Sequence, residues 1–311
     1  MNTSTERRIA VIGLGSMGGA MAATLHKAGW QVTGFDPSEA ARAAAADAGI
    51  ATTARVEDLA GTPYAVLSLP AANVVEATVP QLLAAPGTVA IIDTTTSEPA
   101  TSRQMAELAE AQGAAFVDAP VSGGRDGAST GTLSAFIGAT DAALAAAAPV
   151  LLALTGGKFN HIGGPGSGNV VKLLNNVLAA ANLVSVGEAL GVAKAYGIDP
   201  AKAAASISDA SGGSKVSANM YPNWVLSGTH DSGFSLGLMA RDAALAVDVA
   251  AQVGENPALL TAVAGQWQDA LVALGPRADF TEIARTVAPA ITPAGAPGST
   301  NETTNGTTAV A

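Results

Sequence analysis

Short apolar runs alternate with longer stretches of helical period through the first half of the chain. Residues 8–12 (Arg-Ile-Ala-Val-Ile) read as the first buried strand, and glycines follow it directly. Residues 31–35 read as the second strand, ending at Asp36-Pro37, and Ser38 stands at the N-cap position of an alanine-rich helix over 39–48. Further apolar runs at 64–69, 88–93, 115–118 and 132–138 alternate with helical stretches. Strands interleaved with crossover helices predict a parallel sheet covered on both faces. The pattern stops near His161. After the glycine-rich segment Gly163–Gly168, the chain to about Thr286 reads as helix, broken near Pro200, Gly212-Gly213, Gly228–Gly233 and Gly254–Pro257. The expectation is an α/β domain over 1–164, an all-helical domain over 165–287, and a disordered tail over 288–311 built from Pro, Gly, Thr, Asn and Ala.

Composition narrows the function classes. The 25 acidic residues against 15 basic ones give a net charge of −10, which disfavours a protein that coats nucleic acid or an anionic membrane surface. The absence of cysteine excludes a disulfide framework, thiolate catalysis and cysteine-ligated zinc, and fits a reducing, cytoplasmic interior. His26, His161 and His230 lie far apart without paired-ligand spacing, so no metal site is expected. The polar start through Arg8 does not read as a secretory leader. No stretch of ~20 residues reads as apolar enough to span a bilayer; the best, 177–193, carries Glu188 and two glycines.

The first candidate chemistry is Gly13-Leu14-Gly15-Ser16-Met17-Gly18, a G-x-G-x-x-G between a strand and a helix. Gly13 permits the tight turn, Gly15 lets the backbone approach a pyrophosphate, and Gly18 lets helix and strand pack closely. The helix N-terminus offers N–H groups to phosphates. Asp36, 18 residues after Gly18, closes the next strand. It suits both ribose hydroxyls of adenosine and repels a 2′-phosphate, so NAD is expected over NADP. A plain glycine-rich turn is the alternative. Leu69-Pro70 and Thr94-Thr95-Thr96 follow later strands, where they line a nicotinamide ribose or simply end a strand.

Two more segments carry polar groups in unusual settings. In Asp118-Ala119-Pro120-Val121-Ser122-Gly123-Gly124, a hydroxyl and two flexible backbone N–H groups suit a carboxylate, or make an ordinary turn. Lys172 and Asn176 are four apart on one helix face, amid Leu173, Leu174, Val177 and Leu178. Such a lysine is either an acid/base group or a snorkelling side chain. As a base it needs tuning: with a pKa near 10.4 about one molecule in 2,500 is neutral at pH 7. Burial must lower that value by ~2–3 pH units.

From Arg8 to about Thr286 the chain resembles the β-hydroxyacid dehydrogenase family, of the 3-hydroxyisobutyrate dehydrogenase and tartronate semialdehyde reductase type. The resemblance rests on Gly13–Gly19, on Asp118–Gly124 with Gly131-Thr132-Leu133, on Gly163–Asn176 and on Phe234–Asp242. It implies a Rossmann domain joined by a long helix to an all-helical domain, and NAD-linked interconversion of a small anionic β-hydroxyacid with its semialdehyde or ketone. It further implies that Lys172 is the catalytic acid/base and that Asn176 positions lysine and substrate. Ser122, Gly123 and Gly124 then hold the substrate carboxylate, with Asn175 beside the substrate. Leu69, Pro70, Thr96, Phe234 and Arg241 join the Gly13–Gly18 loop and Asp36 as cofactor contacts. A homodimer or homotetramer is implied as well.

The departures leave the acid open. The family usually has lysine where Arg241 stands, and arginine changes the hydrogen-bonding geometry. Asn73, rather than Val74, carries the amide after Leu69-Pro70. Ser211–Tyr221 is unlike the 3-hydroxyisobutyrate segment, and Lys215 there is either a second anion contact or a solvated loop lysine. The alternatives are reduction of a related small anion such as a sulfolactaldehyde or aldonate, an imine reductase, a phosphogluconate dehydrogenase and a non-catalytic NAD-binding module. Lys172 argues against the imine reductase. Asn175, where a histidine is usual, argues against the phosphogluconate enzyme.

Overall fold

The structure, a computed structural model, describes residues 7–292. Its first half is a nine-stranded mixed sheet. At its centre β1 (Arg8–Ile12) lies between β2 (Gln31–Phe35) and β4 (Tyr64–Leu67). Beyond β2 comes the three-residue β3 (Ala51–Thr53), and beyond β4 come β5 (Ala90–Asp93) and β6 (Ala115–Asp118), all parallel. Successive side chains on a strand point to opposite faces, and β1 shows the result. Ile9 and Val11 pack with Val66, Ile92 and Val117 under α1 (Ser16–Lys27) and α6 (Asp141–Thr155). Ala10 and Ile12 pack with Leu67, Ile91 and Phe116 under α3 (Ala72–Leu82) and α4 (Pro99–Ala111). Both faces are therefore covered, which is why these runs are continuously apolar. Ser38 caps α2 (Glu39–Asp47) by accepting from the Ala41 N–H.

Beyond β6 the sheet departs from the expected parallel pattern. After Ala119-Pro120 the short β7 (Val121–Ser122) leads into α5 (Gly124–Thr130) and then β8 (Ser134–Gly138). β8 runs antiparallel to both β6 and β7. The seven-residue α5 lies between β7 and β8, and the chain returns from β7 as an antiparallel pair rather than through a covering crossover helix. β9 (Phe159–Gly163) then pairs with β8 in parallel. Its Phe-Asn-His-Ile-Gly sequence lacks the apolar run that marks the inner strands, so the sheet extends past the point where the sequence pattern stops.

The second half is helical: α7 (Ser167–Ala195), α8 (Pro200–Ser208), a π-helical segment Val216–Val225, α9 (Leu236–Gln252), α10 (Ala258–Leu274), a 3-10 turn Phe280–Ile283 and α11 (Ala284–Val287). The breaks fall at the glycine and proline positions noted above. α7 has 29 residues, about 43 Å at 1.5 Å per residue, and runs through both halves of the molecule. By length and composition it is apolar enough to cross a bilayer, contrary to the sequence expectation, because Glu188 and the glycines are outweighed by the rest. Half of that apolar stretch is buried within the fold. Ala180, Leu183 and Leu190 meet Tyr221, Trp267 and Phe280 in the helical core, and the Tyr221 hydroxyl donates to the Leu183 carbonyl at 2.6 Å. Ala288 and Ile291 are also buried there, so the start of the expected tail is packed. The remainder, 293–311, lies outside the described residues.

Trp267 is fully buried and donates from Nε1 to the Ala180 carbonyl, tying α10 to α7. Trp267→Ala is expected to cost about 3–5 kcal/mol, read from the midpoint of urea unfolding.

Candidate active site

The carboxyl ends of the parallel strands converge on one edge of the sheet. At the end of β1, Gly13 donates its N–H to the Phe35 carbonyl at 2.8 Å with φ near +91°. A Cβ on Gly18 would collide with the Gly13 carbonyl, so α1 leaves the strand as closely as it does only because that position is glycine. α1 begins with Gly15 at its N-cap, with no capping side chain and no acidic residue in the first turn. The space beside Gly15 is open, and Gly15 and Ser16 are exposed. Uncapped N–H groups facing open space at a helix N-terminus fit a pyrophosphate. Asp36 is fixed beside this loop: its Oδ2 accepts from the Leu14 N–H and its Oδ1 from the Ser38 N–H, each at 2.8 Å. Each carboxylate oxygen keeps acceptor capacity for a ribose hydroxyl. The residues present thus fit a dinucleotide.

Two fully buried carboxyls stand side by side at the same edge, Asp93 and Asp118, partners in the β5–β6 register. Asp118 anchors the start of α7. Its Oδ1 accepts from the Gly166 N–H at 2.7 Å and its Oδ2 from the Asn169 N–H at 3.0 Å. Burial raises Asp118 to about 6, opposed by these backbone donors. Asp93 accepts from the Thr95 N–H at 2.9 Å, while its Oδ2 has no hydrogen-bond partner among the described residues. Burial raises it to about 7, with Thr95 opposing and Asp118 adding to the rise. Asn169 ties the same turn sideways, accepting from the Ser97 N–H and donating to Ser102.

One turn further along α7 sits Lys172, 9% exposed. Burial lowers its ammonium to about 8, while the Asp242 carboxylate pulls the other way. Asn176, also buried, donates from Nδ2 to Asp242 Oδ2 at 2.7 Å, and its Oδ1 accepts from Asn175 at 3.1 Å. Arg241 donates from Nε and Nη2 to Asp242 Oδ1, and from Nη1 to the Pro70 carbonyl and Nη2 to the Thr96 carbonyl. The Leu69 N–H in turn donates to Thr95. A chain of hydrogen bonds therefore runs from Asn175 and Asn176 through Asp242 and Arg241 to Pro70 and Thr96, with Lys172 beside it.

The other sequence-derived candidates lie outside that chain. Ser122 pairs with Ser134 in the β7–β8 ladder, and Gly123 and Gly124 are exposed with positive φ. They follow the same sheet edge, but among the described residues no hydrogen bond links them to Lys172 or Asn176. Phe234 packs edge-on to Phe280, ring centroids 5.5 Å apart, within the helical core. Lys215 is exposed at the head of the π-helical segment. Asp242, Asp93 and Asn169 were missed as individual residues. Asp242 carried a legible signal, being an acid on the α9 face formed by Met239, Ala243 and Ala246.

Residues 8–163 match the family described as the NAD binding domain of 6-phosphogluconate dehydrogenase, and residues 166–287 the family described as NAD-binding of NADP-dependent 3-hydroxyisobutyrate dehydrogenase. The chain is 34% identical over 268 residues to 2-(hydroxymethyl)glutarate dehydrogenase of Eubacterium barkeri, covering 83% of this chain and 87% of that one. It is 36% identical over 251 residues to 3-hydroxyisobutyrate dehydrogenase of Pseudomonas aeruginosa, covering 77% and 84%. The solved Mycobacterium tuberculosis 3-hydroxyisobutyrate dehydrogenase with L-serine superposes with a TM-score of 0.83 at 31% identity, covering 90% of this chain and 99% of that one.

A carboxyl raised from 3.8 to about 7 by folding binds its proton more tightly in the folded chain. Its contribution to stability is complete below about pH 4 and is lost as pH rises towards 7. Asp93→Asn is expected to flatten the fall in unfolding free energy between pH 4 and 7, leaving the smaller fall due to Asp118 below about pH 6. Denaturant titrations of both proteins from pH 4 to 8 check this, and parallel curves would refute it.

Proposed function

Because the chain belongs to the 3-hydroxyisobutyrate dehydrogenase family of β-hydroxyacid dehydrogenases, and is thus an NAD(P)-dependent 3-hydroxyacid dehydrogenase, we propose that Lys172 is its general acid/base and that its substrates carry a hydroxymethyl group beside a carboxylate. The observation that carries this reading is the setting of Lys172. It is a buried lysine tuned to about 8, one turn from Asn176, on the helix that the sheet's carboxyl edge anchors. The substrates named for the two relatives above, and L-serine, share the hydroxymethyl-beside-carboxylate pattern, which supports the substrate class.

The Gly13–Gly18 loop and Asp36 hold the cofactor, and Leu69, Pro70, Thr96 and Arg241 line its nicotinamide end. The negative charge of Asp36 favours NAD over NADP. When bound, the nicotinamide supplies the hydride acceptor or donor at the substrate carbon. Ser122 and the backbone of Gly123 and Gly124 hold the substrate carboxylate. Lys172 in its neutral form takes the hydroxyl proton as the alcohol is oxidised, and its ammonium returns a proton to the carbonyl oxygen in reduction. Asn176 holds substrate and lysine in register, with Asn175 beside them.

Oxidation therefore needs neutral Lys172. Its rate is expected to rise about tenfold per pH unit below the lysine's midpoint and to level above about pH 8. NAD-linked turnover across 3-hydroxyisobutyrate, L-serine, 2-(hydroxymethyl)glutarate, glycerate and dihydroxypropanesulfonate tests the substrate class. Lys172→Ala is expected to lower kcat about 10²–10⁴-fold on the active member of that panel, and retention of turnover would overturn the assignment. Asp36→Asn is expected to raise kcat/KM with NADP relative to NAD about tenfold, worth ~1.4 kcal/mol, because it removes the charge facing a 2′-phosphate. An unchanged ratio would place cofactor choice elsewhere.

A further inference from the structure

The hydrogen-bond chain turns on one residue that the proposed chemistry leaves without a role. Asp242 is 1% exposed, on α9, and it faces α7 across the junction between the helical domain and the sheet edge. Both of its oxygens are committed. Oδ2 accepts from Asn176 Nδ2 at 2.7 Å, and Oδ1 accepts from Arg241 Nε at 3.1 Å and Nη2 at 2.8 Å. A carboxylate only accepts, so the amide group of Asn176 that meets it must be the NH₂. The Asn176 carbonyl oxygen is thereby turned away, where it accepts from Asn175 and keeps one lone pair for another donor. Without Asp242, only the Asn175 contact distinguishes the two faces of that amide, and Asn175 carries a side-chain amide that can itself turn over.

The same carboxylate is the charge that acts on Lys172. The other charged groups on elements packed against α7 are engaged elsewhere or exposed to solvent. Asp118 on β6 is bound by the first-turn N–H groups, and Arg103 on α4 lies beside Gly166. His161 on β9 bonds the Ala139 carbonyl, and Arg285 on α11 pairs with Glu282. Lys202 on α8, Asp248 on α9, Asp269 on α10, and Glu107 and Glu110 on α4 are exposed. Arg241, which shares α9, spends its guanidinium on Asp242 and on the Pro70 and Thr96 carbonyls.

We propose that Asp242 is a positioning residue of the dehydrogenase reaction: its carboxylate fixes which face of the Asn176 amide meets the substrate side and supplies the negative charge facing Lys172, with Arg241 attenuating that charge. The inference rests on the proposed role of Lys172 for its catalytic meaning, but its physical content is testable without turnover. Opposite signs follow for two substitutions. Asp242→Asn removes the charge that favours the ammonium, so Lys172 loses its proton at lower pH. Arg241→Met removes a nearby positive charge and leaves the carboxylate unattenuated, so Lys172 keeps its proton to higher pH.

The chain has six lysines, so carbon-13 labelling at lysine Cε gives a resolvable set of signals, with Lys172 assigned by its absence in Lys172→Arg. Titration of the cofactor-free protein is expected to show the Lys172 midpoint moving down by at least about half a pH unit in Asp242→Asn, a threefold change in proton affinity, and up in Arg241→Met. Shifts of opposite sign support the proposal; no shift in either variant, or shifts of the same sign, overturn it. Should Asp242→Asn fail to fold, the direction in Arg241→Met alone decides. For the amide, Asp242→Asn is expected to lower kcat for hydroxyacid oxidation at least about tenfold with little change in KM for NAD. Asp242→Glu, which restores an acceptor-only group, is expected to recover part of that loss; no recovery would overturn the orienting role. A failed Lys172 assignment shows separately, as turnover retained in Lys172→Ala while the titration shifts persist.

Discussion

The placement of every candidate catalytic group depends on how Asp118 receives the first turn of α7. A helix begins with backbone N–H groups that have no partner within the helix, and burying them unpaired is costly. α7 starts against the sheet edge with glycine at its N-cap and no side chain of its own to satisfy those donors. Asp118, at the last position of β6, supplies both oxygens, one to Gly166 and one to Asn169. A negative group there also meets the positive end of the helix dipole. The close fit depends on glycine at 168, because a Cβ there would strike the carbonyls of Asp118 and Phe136. Asn169 adds lateral ties to Ser97 and Ser102. Three residues beyond Asn169 is Lys172, and seven beyond is Asn176. Their positions relative to the strand ends are therefore set by a buried carboxylate and two backbone donors.

The second requirement is electrostatic, and it comes from the other domain. Bringing a lysine from about 10.5 to about 8 corresponds to roughly 3 kcal/mol of lost preference for the ammonium, supplied mainly by burial. Burial alone would drive the group further. Asp242 opposes it, and Asp242 is itself paired with Arg241 at 2.8 Å. Arg241 also grips the Pro70 and Thr96 carbonyls, so the residue paired with the carboxylate beside the lysine also fastens α9 to the sheet edge. Geometry and proton affinity at Lys172 are thus coupled through the domain junction. The arginine in place of the family's usual lysine suits that arrangement, since one guanidinium serves a carboxylate and two carbonyls at once.

The parts of this architecture that were legible in the sequence are those governed by local period and turn chemistry. The strands β1, β2 and β4–β6 are short apolar runs flanked by glycine, aspartate or proline. The helix breaks follow Pro200, Gly212-Gly213 and Gly254–Pro257. The Gly13–Gly18 turn shows itself because glycine is required where helix and strand backbones nearly touch. Lys172 and Asn176 stand out by their four-residue spacing on an apolar helix. β9 was not legible, because its pairing with β8 is set by a neighbour rather than by its own alternation. Nor was the reversal at β8, which the composition of the strand does not mark.

The carboxyls are the more instructive case. Asp93 and Asp118 each end an apolar run, a position where an acid ordinarily meets solvent or caps a turn. Whether two such acids become neighbours is a question of strand order, and 25 residues of sequence separate them without any mark of it. Asp242 sits 66 residues from the amide it holds. Asp118 and Asp242 are each costly to bury alone and are tolerated because a partner from a distant segment meets them, whereas Asp93 is met by Thr95 two residues along. Long-range pairing of that kind leaves only a local anomaly in the sequence, an acid on an otherwise apolar face. For Asp242 that anomaly is visible on α9 among Met239, Ala243 and Ala246. A charged residue out of pattern on an amphipathic helix therefore points towards the site even where its partner cannot be named, and at Lys172 the charge so placed opposes the larger effect of burial.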